Sequence, residues 1–285
     1  LRLIMSFLNL VDRHILVAGG AGGIGSEIAS LLALNGAKVT IADRNTNAIE
    51  STVQTIRARG PHKEEAAIEG VTVDVSDTTS LEQLFARFTS VPVYGVVNAV
   101  GVVGVGTALE CPLAEYQRQL EINLFGAIRL ARAFVSHARE HSPKELDVIH
   151  SVQGSIVYIS SIAAQFAIPE RDPYCVSKAA GQMFHLNLAN ETAQFGINVN
   201  VVLPGRTDTP SAAERAAASS EAALQMFATQ RRPAMIPALS IAKTCAFLLS
   251  PDLVGCSGQS IVVAEGADTT YRPSYEALAR QQVKG

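Results

Sequence analysis

The chain has 285 residues, 48% of them hydrophobic and 17% charged, which suits one large α/β domain and is too apolar for disorder. With 23 basic against 26 acidic residues and a formal charge of −3, it presents no basic field for nucleic acid or an anionic membrane, so small molecules are the expected partners. Four cysteines, Cys111, Cys175, Cys245 and Cys256, have no Cys-x-x-Cys spacing and predict free thiols in a reducing compartment.

Residues 1–4 precede Met5, which looks like a natural start, and are set aside from fold reasoning. The apolar run 6–11 is too short for a secretion signal, and a cytoplasmic address is expected. β-Branched runs at 14–18, 38–42, 70–73, 93–97, 155–159, 198–203 and 260–263 predict seven strands. Between them, apolar residues at three- and four-residue intervals predict helices at 25–34, 46–59, 80–87, 113–140, 177–195 and 241–249. Such alternation implies parallel pairing with helical crossovers, hence a doubly wound, Rossmann-type parallel sheet of seven strands with helices on both faces. The uncharged stretch 91–109 contains Pro92, Asn98 and four glycines and reads as a strand plus loop, not a membrane span. One domain is expected over residues 9–267, followed by a tail at 268–285. Two connections are long, 141–153 and 211–237, and the second is a candidate substrate lid with apolar residues among its alanines.

The first strand runs into Ala18-Gly-Gly-Ala-Gly-Gly-Ile-Gly25 and then a helix, the context a dinucleotide-binding turn requires. Two registers pass through it, Gly20-x-Gly22-x-x-Gly25 and Gly19-x-x-x-Gly23-x-Gly25, and either lets backbone approach a pyrophosphate at a helix N-terminus. Asp43 closes the second strand, where a carboxylate can accept hydrogen bonds from ribose hydroxyls and repel a 2′-phosphate. With no Lys or Arg inside the turn this favours NAD over NADP, although Arg44 is adjacent. Tyr174 and Lys178 are four apart, on one face of a helix. A free tyrosine titrates near ~10 and needs a neighbouring positive charge to act near neutrality, which the lysine supplies. Ser161, thirteen residues upstream of Tyr174, can polarise a carbonyl while the tyrosine moves the proton. The spacing alone recurs by chance in many helices, so the weight falls on the motifs that surround it.

In this order the motifs resemble the short-chain dehydrogenase/reductase family in its compact single-domain form, over about residues 9–267. Residues 18–25, with Gly19, Gly23, Ile24 and Gly25, resemble its glycine turn, Asp74-Val75 its adenine-side pair, and Asn98-Ala-Val-Gly101 its asparagine-bearing strand end. Ile122-Asn-Leu-Phe-Gly126 resembles its asparagine-bearing helix, and Pro204-Gly-Arg-Thr-Asp-Thr209, with Gly205 and Thr207, its segment beside the nicotinamide. The resemblance implies Tyr174 as general acid/base, Lys178 lowering its pKa and binding the nicotinamide ribose, Ser161 orienting the substrate oxygen, and Asn123 holding a water that links the lysine to solvent. It further implies NAD as cofactor, NADP being second choice, an alcohol or ketone substrate, and a homodimer or homotetramer. Departures are Ala18 for the usual threonine, Ala99 for a second asparagine, and Ala264-Glu-Gly-Ala267 for Asp-Gly-Gly. The rival readings are an NADPH-dependent 3-oxoacyl-thioester reductase and a non-catalytic dinucleotide-sensing protein.

Other candidates have plainer readings. His137 and His141 share a helical face but lack a third ligand, so a solvated helix end is expected and no metal. Cys175 is expected as a packed thiol. Arg231 and Arg232 could hold a substrate carboxylate or phosphate, but they precede Pro233 where the resemblance implies a structural arginine, which is the expected role; by the same resemblance Glu170, Arg171 and Asp172 lie on the substrate side and are candidates for a polar contact at its mouth.

Overall fold

A computed structural model describes residues 8–59, 67–142, 151–210, 212, 217 and 235–265. Most of the candidate lid at 211–237, the middle of the 141–153 connection, Arg231, Arg232 and the tail at 268–285 therefore lie outside the described residues. Seven parallel strands form the sheet: β1 (His14–Ala18), β2 (Lys38–Asp43), β3 (Ile68–Thr72), β4 (Gly95–Asn98), β5 (Gly154–Ile159), β6 (Ile197–Pro204) and, following the short pair named below, β9 (Ser260–Val263). Their spatial order is β3-β2-β1-β4-β5-β6-β9, and every neighbouring pair is parallel, as the alternation predicts. A two-residue pair, β7 (Thr207–Asp208) with β8 (Ile236–Pro237), lies beyond β6.

Each strand side chain alternates between faces, and both faces are covered. Ile15, Val17, Val39, Ile41, Val97 and Val157 point to one side, where they pack with α1 (Gly23–Leu34), α2 (Thr46–Arg59) and, further along the chain, α7 (Ala238–Leu248). Leu16, Ala18, Val96 and Ile156 point to the other, towards α3 (Thr78–Ala86), α5 (Gly126–His141) and α6 (Asp172–Thr192). Each fully buried Ile or Leu on these faces contributes about 1.5–3 kcal/mol by leaving water.

Several boundaries differ from the sequence expectation, each for a local reason. The predicted helix at 113–140 is interrupted: α4 (Leu113–Leu120) passes through a π turn at Glu121–Phe125 into α5. Helix α6 begins at Asp172, five residues earlier than periodicity suggested, because Pro173 sits in a first turn that needs no N–H donor. Strand β3 starts at Ile68; as an edge strand with exposed Glu69 and Thr72 it lacks the apolar run that marks central strands. Strand β4 begins at Gly95 and not Val93, since the Val93 N–H donates to His137 Nε2 (3.0 Å).

The same contact corrects the reading of His137 as a solvated residue. It is buried, and burial lowers its pKa to about 4. Among the described residues no three His, Cys, Asp or Glu side chains are arranged to hold a metal ion, and no helix is long and apolar enough to cross a membrane. All four cysteines are free thiols.

Candidate active site

Strand order reverses between β1 and β4, which opens a crevice at the carboxyl ends of these strands, where open α/β sheets place their ligands. Gly19 leaves β1 with φ +72°, and a side chain there would put its Cβ 2.7 Å from the Ala99 carbonyl carbon at the end of β4. A Cβ on Gly25 would overlap the Gly19 carbonyl oxygen, and one on Gly23 would lie 2.6 Å from Thr209 Cβ. Close approach is thus required at all three glycines of the wider register, whereas a Cβ on Gly22 would meet nothing nearer than 3.3 Å. Ala18, where the resemblance expects threonine, serves through its backbone: its carbonyl accepts the Ala99 N–H (2.8 Å). Asn98 is buried, and its Oδ1 accepts the Val100 N–H (3.1 Å).

Two adjoining clefts share Gly19, Gly22, Ala99 and Gly101. The smaller, about 230 Å3, is lined by Asp43, Arg44, Asp74, Val75 and Ser76. Asp43 accepts the N–H groups of Ala21 (3.3 Å) and Asn45 (3.1 Å), tying the end of β2 to the glycine turn. Asp74 accepts both the hydroxyl (2.7 Å) and the N–H (2.8 Å) of Ser76, and these bonds hold its carboxyl below the usual carboxylate range.

The larger cleft, about 330 Å3, brings together Gly23, Ile24, Gly25, Ser161, Tyr174, Lys178, Pro204, Gly205, Thr207 and Thr209. Their elements explain the convergence: the glycine turn follows β1, Ser161 follows β5, Tyr174 and Lys178 lie on α6, and the Pro204 segment follows β6. Ser161 caps a short 3-10 turn, its Oγ accepting the Ala163 N–H (3.1 Å). Neighbouring Ser160 instead faces inward, donating to the Lys178 carbonyl (3.2 Å).

Lys178 is buried, and its Nζ donates to the Ile159 carbonyl (2.9 Å). The ammonium lies 5.0 Å from the Tyr158 ring centre and 5.9 Å from that of Tyr174. Burial lowers its pKa to about 7. Asn123, in the π turn, is equally constrained: Oδ1 accepts the Val102 N–H (2.8 Å), and Nδ2 donates to the Val102 carbonyl (2.9 Å) and Ser177 Oγ (2.9 Å). π Turns recur at functional sites because the extra residue redirects side chains and carbonyls.

Sequence reasoning missed Tyr158. Its hydroxyl donates to the Asn123 backbone carbonyl (3.1 Å), its ring stacks on His185 at 4.2 Å, and it forms the floor beneath Lys178. Within the run at 156–159 it looks like any core residue. Arg206 was missed as well, and Arg171, expected at the mouth, is a buried part of the wall.

Residues 19–268 match the protein family described as enoyl-(acyl carrier protein) reductase. The chain is 32% identical over 201 residues to the probable oxidoreductase EphD of Mycobacterium tuberculosis, a match covering 70% of this chain but only 31% of that protein's length. A short-chain type dehydrogenase/reductase from Mycobacterium ulcerans superposes with a TM-score of 0.82 at 25% identity, covering 96% of each chain. The actinorhodin polyketide ketoreductase, solved with NADPH, superposes at 0.79 with 27% identity over 90% of this chain and 97% of that one. The family match spans the glycine turn, both clefts and β9, so the chain belongs to the short-chain dehydrogenase/reductase family.

Proposed function

We propose that the protein interconverts a secondary alcohol and a ketone, using NAD(H), with Tyr174 as general acid/base. The observation that carries this reading is the convergence of Ser161, Tyr174 and Lys178 on one cleft with the Gly19–Gly25 turn and the Pro204–Thr209 segment. The residues present fit a dinucleotide, since the glycine turn packs backbone on backbone with no room for a side chain at Gly19 or Gly25 and leads into the N-terminus of α1 on the cleft. Gly19, Gly23, Ile24 and Gly25 would hold its pyrophosphate, Asp43 its adenosine ribose, and Asp74, Val75 and Asn98 the adenine side. Pro204, Gly205, Thr207 and Thr209 would hold the nicotinamide end. When bound, the nicotinamide supplies the hydride chemistry.

In this reading Ser161 donates a hydrogen bond to the substrate oxygen and fixes its position. Tyr174 then gives the proton to that oxygen in reduction, or takes it in oxidation. Lys178 contributes positive charge under the tyrosine ring, favouring the phenolate, and contacts the nicotinamide ribose. Asn123 holds a water that connects the lysine to solvent; its backbone carbonyl has a second lone pair beside the one that Tyr158 occupies. Acid–base assistance of this kind contributes about 10²–10⁴-fold.

Asp43 supports NAD over NADP, because its carboxylate would face a 2′-phosphate. A cytoplasmic, homodimeric or homotetrameric protein completes the proposal, with residues 9–267 as the catalytic domain and 211–237 as its lid. Exposed Phe125, Val176 and Met183 on the π turn and α6 support self-association through that face. The test is a panel of secondary alcohols and ketones followed at the nicotinamide absorbance with both cofactors. NADH-linked turnover of at least one pair is expected; turnover with NADPH alone would overturn the cofactor assignment.

A further inference from the structure

Lys178, Gly181 and His185 follow one another at i, i+3 and i+7 on one face of α6, and Tyr158 of β5 meets all three. The Lys178 ammonium lies 5.0 Å from the Tyr158 ring centre, and the His185 ring stacks on Tyr158 at 4.2 Å with only 4° between the planes. Gly181 makes the room: a Cβ there would lie 2.4 Å from the Tyr158 hydroxyl oxygen. The hydroxyl donates to the Asn123 carbonyl (3.1 Å) and so ties the ring to the π turn. Burial, with Tyr174 adding to it, raises the Tyr158 pKa, so the phenol stays neutral and keeps this donor.

A buried ammonium needs compensation, and Lys178 has little of the usual kind. Among the described residues it makes one hydrogen bond, to the Ile159 carbonyl (2.9 Å), and no ion pair with a carboxylate. The titratable groups around it are Tyr158 from β5 and Tyr174 and His185 from α6. His185 adds no charge near neutrality, because burial lowers its pKa to about 4. What remains is the face of an aromatic ring, whose negative quadrupole attracts a cation within about 6 Å, more strongly where water is excluded. Of the two rings, Tyr158 is the nearer; Tyr174, at 5.9 Å, is the one the lysine serves.

We propose that Tyr158 is a positioning residue whose ring holds Lys178 in its cationic form beside Tyr174, in the place that a carboxylate takes in an ordinary buried ion pair. This rests on the reading of Tyr174 as general acid/base and adds the group that keeps its lysine charged. The substitution of ring for carboxylate has a chemical consequence. A carboxylate would cancel the positive charge that favours the Tyr174 phenolate, whereas a ring carries no net charge and leaves that field intact. The bond to Asn123 and the stack on His185 fix the ring's height and tilt, so the lysine cannot drift from it without loss.

A graded series at one position tests the proposal: Tyr158→Phe, then 4-fluoro-, 3,5-difluoro- and pentafluorophenylalanine in the same place, rings of similar size whose negative face weakens stepwise. The Lys178 pKa is read in the full-length chain from the pH dependence of the 13Cε resonances of labelled lysine, assigned with Lys178→Met. Urea midpoints and NADH binding show that each variant folds. Tyr158→Phe is expected to keep the Lys178 pKa close to wild type, and fluorination to lower it progressively, by about one unit at the end of the series. At pH 8, kcat on the best alcohol or ketone should fall along the series at least threefold from Phe to pentafluorophenylalanine. A Lys178 pKa that is flat along the series, or one that falls while kcat at pH 8 stays constant, would overturn the proposal. Wild-type kcat in Lys178→Met, or no turnover of any alcohol and ketone pair, sinks the reading of Tyr174 and with it the catalytic role of Tyr158, whereas a flat pKa series in an active enzyme sinks this inference alone.

Discussion

Replacing Lys178 by methionine is expected to stabilise the cofactor-free protein while removing its activity. The lysine is buried, 5.0 Å from the Tyr158 ring centre, with its ammonium bonded to the Ile159 carbonyl. Burial brings its pKa from 10.5 down to about 7. That interval, at about 1.4 kcal/mol for each pH unit, sets an upper bound of about 5 kcal/mol on the cost of keeping the cation buried at acid pH. Methionine keeps most of the packing volume but leaves the Ile159 carbonyl without this donor, which costs about 1–3 kcal/mol. The net gain at pH 6 is therefore at most about 2–4 kcal/mol, of the size seen when buried ion pairs give way to apolar groups.

The sign of the pH dependence is fixed by proton counting. Between about 7 and 10.5 the unfolded chain holds the lysine proton more firmly than the folded protein, so wild-type stability rises with pH across this window. Below about 7 both states carry the proton and the full penalty applies. Urea unfolding of wild type and variant at pH 6, 8 and 9.5 isolates this effect, because other titrating groups cancel in the difference. The wild type should gain about 2 kcal/mol on the variant between pH 8 and 9.5. A difference that stays flat with pH, or a variant less stable than wild type at pH 6, would refute the argument that burial keeps this lysine poised near neutrality.

Three further outcomes are expected. Gly19→Ala should lower stability by at least about 1–2 kcal/mol, the cost of a left-handed non-glycine residue, and weaken NADH binding, both read by urea midpoint and calorimetry. Asp43→Ala should raise the ratio of NADPH to NADH affinity at least tenfold, and an unchanged ratio would remove Asp43 from cofactor choice. Burial holds His137 and His185 neutral, each with its pKa lowered from 6.5 to about 4, so stability present above 6.5 is lost as pH falls towards 4. Urea midpoints at pH 7, 5 and 4 should show that loss, and His137→Gln should reduce it.

How much of this was legible in the sequence depended on whether the signal was local. The parallel sheet was readable because a central strand such as β1, buried on both faces, carries an apolar run, Ile15 to Ala18, between Arg13 and Gly19. Edge strand β3 was displaced by two residues, since Glu69 and Thr72 face solvent and break the run. The glycine turn, Ser161, Tyr174 and Lys178 stand out in the sequence by their spacings, and the fold brings all of them to one crevice. Tyr158 carries no such signal: its place under Lys178 and its bond to Asn123 arise from tertiary packing between β5, the π turn and α6. His137 misled for the same reason, because its partner, the Val93 N–H, lies on a strand end remote in sequence. The π turn was hidden within one amphipathic pattern running from Leu113 to His141, which a single extra residue does not visibly disturb.

The most direct test of the central claim is the turnover of Tyr174→Phe on the best substrate of the alcohol and ketone panel, with NADH affinity measured on the same preparation. The account predicts kcat lower by about 10²–10⁴-fold with cofactor binding retained, because the ring stays and only the proton-carrying hydroxyl is lost. Wild-type kcat in that variant would contradict it.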